Sequence, residues 1–266
     1  MKNTTRVYML FVMLSLALIG CSTSQKLTYD PKSLPFADHL FIKPETLATP
    51  QKIYSLTKDQ QRWLDRIIID SDHKSRTRQV IDNVLKRDYG HFDYDNSYTR
   101  TASETLEMGQ GNCLSMVIMT AAIAKHLSIP FIIQDVKSAP VWDRDGGLYL
   151  VNGHVNISLR DNTLRDSPGA FRFLNSGYTT LDFIPSAARR KLSKTKINEQ
   201  QLAAMYFVNL AADAMVSQDW DLAYWLLRQS LAQVINYSPA WNALGVLYRR
   251  NSQPLLAEQA YLHAMA

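Results

Sequence analysis

Cysteine is scarce in this sequence, with only Cys21 and Cys113 among 266 residues, so a disulfide-stabilised fold is excluded. Long apolar runs are also missing, because the longest, residues 7–19, is short for a membrane-spanning helix. The sequence contains no metal-ligand cluster with usable spacing, no phosphate-binding glycine loop and no dinucleotide fingerprint. We therefore expect neither a metal nor a cofactor.

The N-terminus is predicted to be a cleaved lipoprotein signal covering residues 1–20. Lys2 and Arg6 precede the apolar stretch, which ends in the run Leu18-Ile-Gly-Cys21. This run resembles the lipobox of bacterial lipoproteins, which implies lipidation of Cys21. Several acyl chains would anchor the protein stably in a membrane. Ser22 rather than aspartate follows the cysteine, which by the same resemblance implies the outer membrane, facing the periplasm.

The charge balance indicates little about partners. The net charge is +5 and falls by two when Lys2 and Arg6 leave with the leader. Such a weak excess does not support nucleic-acid binding. Residues 21–56 carry several prolines and no apolar period, so we expect them to form an extended, lipidated tether.

Residues 57–186 have the pattern of an α+β domain. Helical spacing over 57–69 and 75–86 is followed by a segment, Leu114 to Leu127, that is apolar nearly all round and should be buried. Strands are predicted at 131–136, 148–151, 154–159 and 178–184. Residues 187–197 are rich in lysine and arginine, and we interpret them as a solvated linker rather than a contact with anionic lipid.

Residues 198–266 have the spacing of two tetratricopeptide repeats. The clearer repeat, near the C-terminus, combines small and large residues at matching positions: Trp241, Leu244, Gly245, Tyr248, Ala257, Tyr261 and Ala264. A weaker repeat over 204–237 has Phe207, Leu210, Ala211, Ala214, Ala223 and Leu227 at the corresponding positions. Two repeats rarely bury enough surface alone, so they should pack on the first domain or be covered by a partner, including a second copy that forms a homodimer through the uncapped end.

The thiol of Cys113 is the first residue to consider for chemistry. It would be the one unpaired cysteine of an exported protein, in the run Gly109-Gln-Gly-Asn-Cys-Leu-Ser-Met116 just before a helix. A helix N-terminus stabilises a thiolate through its partial positive charge. The alternative is a buried, inert cysteine.

His154 is the predicted base. It begins an alternating strand in which His154, Asn156 and Ser158 share one face. His126 is a poor partner for Cys113 because it lies on the same helix, and His39, His73 and His91 occur in weaker contexts.

Asp182 is the predicted acid that orients His154, and Asp161 and Asp166 are rivals because they are nearer in sequence. Gln110 and Asn112 could help to polarise a carbonyl, as could the backbone amide of Cys113.

These residues carry a resemblance to the transglutaminase-like (papain-related) superfamily. The phrases Glu104-Thr-Leu106, Gly111-Asn-Cys-Leu-Ser115 and Asn152-Gly-His-Val155 are similar to bacterial members that also have tetratricopeptide repeats. The resemblance covers about residues 57–185 and implies an acyl-enzyme formed on an amide, leading to hydrolysis, deamidation or transfer. The gap between His154 and Asp182 is longer than usual in the superfamily, so residues 161–176 would be an insertion.

Two functions are compatible with this pattern. The first is an envelope enzyme, a cysteine-dependent amide hydrolase or acyltransferase that uses Cys113, His154 and Asp182, with the repeats recruiting a protein or peptide substrate. The second is a non-catalytic lipoprotein that uses its repeats and an inactive cleft as a scaffold for protein–protein interaction.

Overall fold

The computed structural model describes residues 34–70, 74–85, 92–145, 148–161, 177–183 and 193–266. The predicted leader, the lipidation site Cys21 and the first part of the tether lie outside these ranges. So do Asp166, most of the predicted insertion and most of the basic linker. Within the described ranges, no helix combines the length and the apolar character needed to cross a membrane.

The first half of the chain is mainly helical, and threonine caps fix where two helices begin. The helices are α1 Pro50–Ile53, α2 Lys58–Ile67, α3 Arg76–Gln79, which continues as a π-helical turn over Val80–Leu85, α4 Ala102–Met108 and α5 Cys113–His126. Thr57 with Gln60, and Thr101 with Glu104, form capping boxes that satisfy the first amides of α2 and α4. These caps stop each helix from extending backwards.

Helix α5 is the central helix of this half. The segment predicted to be a buried helix, Leu114 to Leu127, is this element, and its residues from Leu114 to Ala124 are all buried. The helix ends where Ser128 adopts a left-handed conformation (φ 56°) and the amide of Ile129 donates to the carbonyl of Ala124. The burial of α5 on all sides fixes the position of its first residue, Cys113.

Among the described residues, two sheets accompany the helices. Strands β1 Asp93–Tyr94 and β2 Gln110–Gly111 pair in parallel just before α5. A four-stranded antiparallel sheet has the order β5-β4-β3-β6, in which the strands are β3 Phe131–Asp145, β4 Leu148–Arg160, β5 Tyr178–Leu181 and β6 Ser193–Ile197. Val155, Ile157 and Leu159 of β4 join the core with α5, so His154, Asn156 and Ser158 lie on the other face.

The sheet differs from the prediction in two places. The separate runs predicted at 148–151 and 154–159 form one long strand, with an irregularity in the β3–β4 pairing between Val136 and Val141. Residues 193–197 of the expected linker form the edge strand β6 instead, where Ser193 to Lys196 are exposed. Lysines are common on edge strands because their charge opposes pairing with another chain.

The C-terminal part consists of two helix pairs. They are α6 Glu199–Val216 with α7 Trp220–Gln233, and α8 Ser238–Arg250 with α9 Pro254–Met265. A Cβ atom on Gly245 would lie 2.5 Å from the Tyr261 ring, so the close approach of α8 and α9 requires glycine there. Their membership of the tetratricopeptide class stays a prediction.

The helix pairs pack on the first half of the chain within one unit, Pro35–Ala266. Glu199 at the start of α6 pairs with Lys125 of α5 (2.9 Å), and its carbonyl accepts a hydrogen bond from Tyr54 (2.7 Å). Phe41 and Ile53 are buried in the core, so the described part of the segment expected to be a tether, residues 34–56, is packed rather than extended into solvent. The sequence pattern misses this because the aromatic and aliphatic anchors follow no regular period.

Candidate functional site

Cys113 is the first residue of α5, and two glycines set its approach. Gly109 ends α4 in a left-handed conformation (φ 69°), which glycine adopts at little cost. A Cβ atom on Gly111 would lie 2.9 Å from Cβ of Ser115, so only glycine fits against the first turn of α5. The thiol is therefore held at the positive end of a buried helix, with its side chain partly exposed.

Asn112 caps α5 and connects the first turn of this helix to Thr99. Its Oδ1 accepts from the amide (2.9 Å) and the hydroxyl (3.0 Å) of Ser115, and its Nδ2 donates to Thr99 Oγ1 (2.8 Å). Thr99 also accepts from Asn209 of α6 (3.3 Å), which connects the helix pairs to this cap. The carbonyl-polarising role predicted for Asn112 and for Gln110, which is half-buried on β2, stays a prediction.

His154 and Asp182 are brought together by the register of β4 and β5. Ile157 pairs with Leu181, so Asp182 follows the end of β5 on the same side as His154. His154 Nε2 lies 2.9 Å from Asp182 Oδ1. A carboxylate accepts a hydrogen bond only, so in the neutral imidazole the proton belongs on Nε2 and Nδ1 is the acceptor. In the part of the chain that the structure describes, Nδ1 has no hydrogen-bond partner.

The thiol lies near this pair. The backbone amide of Val155, the residue after His154, is close enough to the sulfur of Cys113 to stabilise its thiolate. Burial raises the pKa of the Cys113 thiol; the amides of Val155 and Leu114 oppose this rise, and the negative charge of Asp182 adds to it, so the net pKa is raised. At neutral pH the resting thiol is therefore protonated, and a nucleophilic role requires a base.

The rival acid Asp161 lies away from His154. It is buried at the far end of β4, seven residues on, a separation of about 23 Å along a strand. Its carboxylate accepts from Ser75 (2.7 Å) and lies 3.5 Å from the Thr179 hydroxyl. Asp166 lies outside the described residues.

The other histidines also lie elsewhere or outside the described ranges. His126 is at the opposite end of α5, about 20 Å from Cys113 by the helix rise, and bonds Asp65 (2.7 Å). His39 is exposed on the short 3₁₀ turn Asp38–Leu40. His73 and His91 are outside the described residues.

Tyr94 is a neighbour of the thiol that the sequence analysis does not single out. It pairs with Gly111 through β1 and β2, and its pKa is raised by burial and by the nearby Cys113. It lies in a stretch rich in Tyr, Asp, Asn and Gly that resembles a loop, and a two-residue parallel bridge leaves no periodic signal. A phenol beside the sulfur can donate a hydrogen bond to a group bound there.

Comparison with family models, with curated proteins and with solved structures finds no match for this chain. Within the described ranges, no group of three or more His, Cys, Asp and Glu side chains could hold a metal ion. The chemistry available at this site is consequently argued from the thiol, the imidazole and the carboxylate themselves.

Proposed function

We propose that this protein is a thiol enzyme of the transglutaminase-like class that forms an acyl-enzyme from an amide. The observation that carries the proposal is the 2.9 Å contact between His154 Nε2 and Asp182 Oδ1. In the neutral ring it leaves Nδ1 as an acceptor, and the amide of the next residue, Val155, lies near the sulfur of Cys113. A nucleophile, a base and a group that orients the base are the parts that acyl transfer needs.

In the proposed reaction, the Cys113 proton passes to His154 Nδ1 as the sulfur attacks the amide carbonyl. The carbonyl oxygen becomes an oxyanion that the backbone amide of Cys113 can stabilise at the helix N-terminus. His154 then returns the proton to the leaving nitrogen, the C–N bond breaks, and a thioester on Cys113 remains. Water or an amine gives its proton to His154 and attacks the thioester. The C–S bond then breaks, His154 returns the proton to the sulfur of Cys113, and a carboxylic acid or a new amide is released.

The raised pKa of Cys113 selects between two forms of this mechanism. A standing thiolate–imidazolium pair would require a lowered thiol pKa, whereas burial and Asp182 raise it. We therefore propose general-base catalysis, in which His154 removes the proton as the carbon–sulfur bond forms. Hydrolysis is favoured over transfer to an amine because water is abundant in the periplasm.

The rest of the proposal follows the sequence resemblance. Cys21 would carry lipid that anchors the protein to the outer membrane, facing the periplasm, and the helix pairs α6–α9 would act as tetratricopeptide repeats that recruit a protein or peptide substrate.

The test is turnover of a generic protein substrate. The full-length protein in detergent is incubated with casein, and both ammonia release and new amino termini are measured. We expect one of these signals, and we expect Cys113→Ala and His154→Gln to lower it at least ~100-fold, as for loss of a nucleophile or base. Asp161→Asn is the matched control for Asp182→Asn, since Asp161 lies away from His154, and it should leave turnover within about twofold.

The scaffold function remains the second candidate because the thiol is partly buried and its pKa is raised, as in inert cysteines. In cells a scaffold would tolerate Cys113→Ala but would lose its function when residues 198–266 are deleted. The enzyme predicts that Cys113→Ala alone abolishes function.

A further inference from the structure

The segment Pro35–Lys43, here called the strap, crosses the surface of α7 and α8. Side chains of these helices form hydrogen bonds with its backbone near its start, in its middle and near its end. The Tyr248 hydroxyl donates to the Pro35 carbonyl (2.6 Å), the Tyr224 oxygen accepts from the Ala37 amide (2.9 Å), and Asp221 Oδ1 accepts from the Ile42 amide (2.8 Å). These three hydrogen bonds fix the strap's backbone at three points along the helix surface.

Two phenylalanines of the strap are anchored on aromatic rings. Phe36 stacks on Trp241 with ring centroids 5.4 Å apart, and the Arg228 guanidinium lies 3.6 Å from the centre of its ring. Phe41 stacks on Tyr224 with centroids 4.2 Å apart. Each aromatic side chain therefore has its own place on the helix surface.

Asp38 lies between these two phenylalanines, and its carboxylate makes the polar side-chain contact between the strap and α7. Its Oδ1 accepts from the Tyr224 hydroxyl (2.6 Å) and from Arg228 Nε (3.0 Å), while Oδ2 lies 3.4 Å from the second Arg228 nitrogen. Burial opposes ionisation of this carboxyl, but the Tyr224 and Arg228 hydrogen bonds outweigh it and lower its pKa. The surface thus distinguishes a segment of the pattern Phe-x-Asp-x-x-Phe.

Part of the strap faces outward, although Pro35, Ala37 and Phe41 are buried. Leu40 and Ile42 are apolar but turn outward, with 42% and 77% of their surface exposed. Lys43 at the end of the strap is exposed as well, as are Glu45 and Thr46 in the connection to α1.

We propose that the face formed by α7 and α8 is a peptide-binding site for extended segments of the pattern Phe-x-Asp-x-x-Phe, and that the strap is its resident ligand. A ligand on the same chain has an effective concentration in the millimolar range, so it suppresses binding of a partner segment. Recruitment of a partner through this face then requires displacement of the strap. This inference does not depend on the chemistry of Cys113.

The experiment measures binding of a fluorescent peptide of residues 33–45 to the full-length protein in detergent. The chain Phe36→Ala/Phe41→Ala has a weakened strap and an unchanged site, and we expect it to bind the peptide at least ~10-fold more tightly than the unmodified chain. A control peptide carrying Asp38→Asn should bind that variant at least ~10-fold more weakly, because it loses the charge that Arg228 and Tyr224 hold. A variant with native-like circular dichroism that does not bind the peptide would overturn the proposal.

A second measurement applies if the double variant does not fold. Hydrogen exchange of the unmodified chain compares the amides of Ala37 and Ile42 with the amide of Leu227 within α7. The proposal expects the two strap amides to exchange by local opening, faster than Leu227. Exchange of all three at the rate of global unfolding would show that the strap is core chain and would contradict the proposal.

Discussion

At the scale of single residues, the carboxylate of Asp182 has two opposite effects. It orients His154 by accepting from Nε2, which favours catalysis, and its charge raises the pKa of the Cys113 thiol, which disfavours the thiolate. An enzyme that uses a neutral thiol gains more from the first effect than it loses from the second. The two effects can be separated by experiment, because the first acts on turnover and the second on the pH dependence of Cys113 alkylation.

The change Asp182→Asn removes the charge and keeps the shape. We expect casein turnover to fall by about 100-fold or more because His154 loses the acceptor that fixes its tautomer. Loss of the negative charge should at the same time lower the pKa of Cys113, so the high-pH inflection of its alkylation rate moves to lower pH. A fall in turnover together with a shift of the alkylation inflection to higher pH would contradict this account.

Much of the candidate site could be predicted at this scale. Cys113, His154 and Asp182 carry recognisable signals: a thiol before a buried helix, a histidine on an alternating strand, and an aspartate on a later strand. Tyr94 carries none, because its closeness to Cys113 comes from a two-residue pairing with Gly111 across a long stretch of chain.

At the scale of elements, the start of α5 depends on Asn112. Its side chain satisfies the Ser115 amide, and its Nδ2 connects the cap to Thr99. Asn112→Ala should lower the free energy of unfolding by about 1–3 kcal/mol through the lost cap and the buried partners left unpaired. Urea denaturation gives this value, and Asn112→Asp, which keeps the capping oxygen, should lose less than Asn112→Ala. Equal losses in the two variants would show that the capping oxygen contributes nothing.

The contact between α8 and α9 gives a matched pair of glycine substitutions. Gly245→Ala places a Cβ atom 2.5 Å from the Tyr261 ring, so the helices must separate, at a cost of about 1–3 kcal/mol. At Gly153 a Cβ atom would meet only the end of Met205, at 3.9 Å, and Gly153→Ala should change stability much less. Thermal unfolding of both variants tests this difference, and a Gly245→Ala midpoint at or above that of Gly153→Ala would contradict it.

Helices could be predicted more accurately than strands in this chain. Helical spacing marks α2 and a continuous apolar segment marks α5 in the sequence itself, whereas the short helix α4 is not among the predicted helices. The edge strand β6 has no such mark, because its lysines have the composition of a linker and only pairing with β3 makes them a strand. A local sequence pattern carries no information about pairing with a distant strand, so it cannot predict such an edge strand.

At the scale of the whole molecule, the helix pairs contact both the strap and the thiol site. Asn209 of α6 donates to Thr99, which also holds the cap of α5, while α7 and α8 carry the strap. The sequence predicts a tether in this region, since proline content indicates an extended chain but not the surface on which that chain lies. The packed strap is therefore the largest difference between prediction and structure.

The central claim is that His154 acts on Cys113 across segments that are far apart in the sequence. The measurement that tests it most directly is the rate of Cys113 alkylation by iodoacetamide from pH 6 to 10 in the unmodified chain, in His154→Gln and in His126→Gln. Since burial and Asp182 raise the thiol pKa, we expect the rate to rise with pH to beyond the usual cysteine range near ~8.5. At pH 7 we expect His154→Gln to react at least ~10-fold more slowly and His126→Gln to be unchanged. Equal rates for the unmodified chain and His154→Gln at every pH would contradict the account.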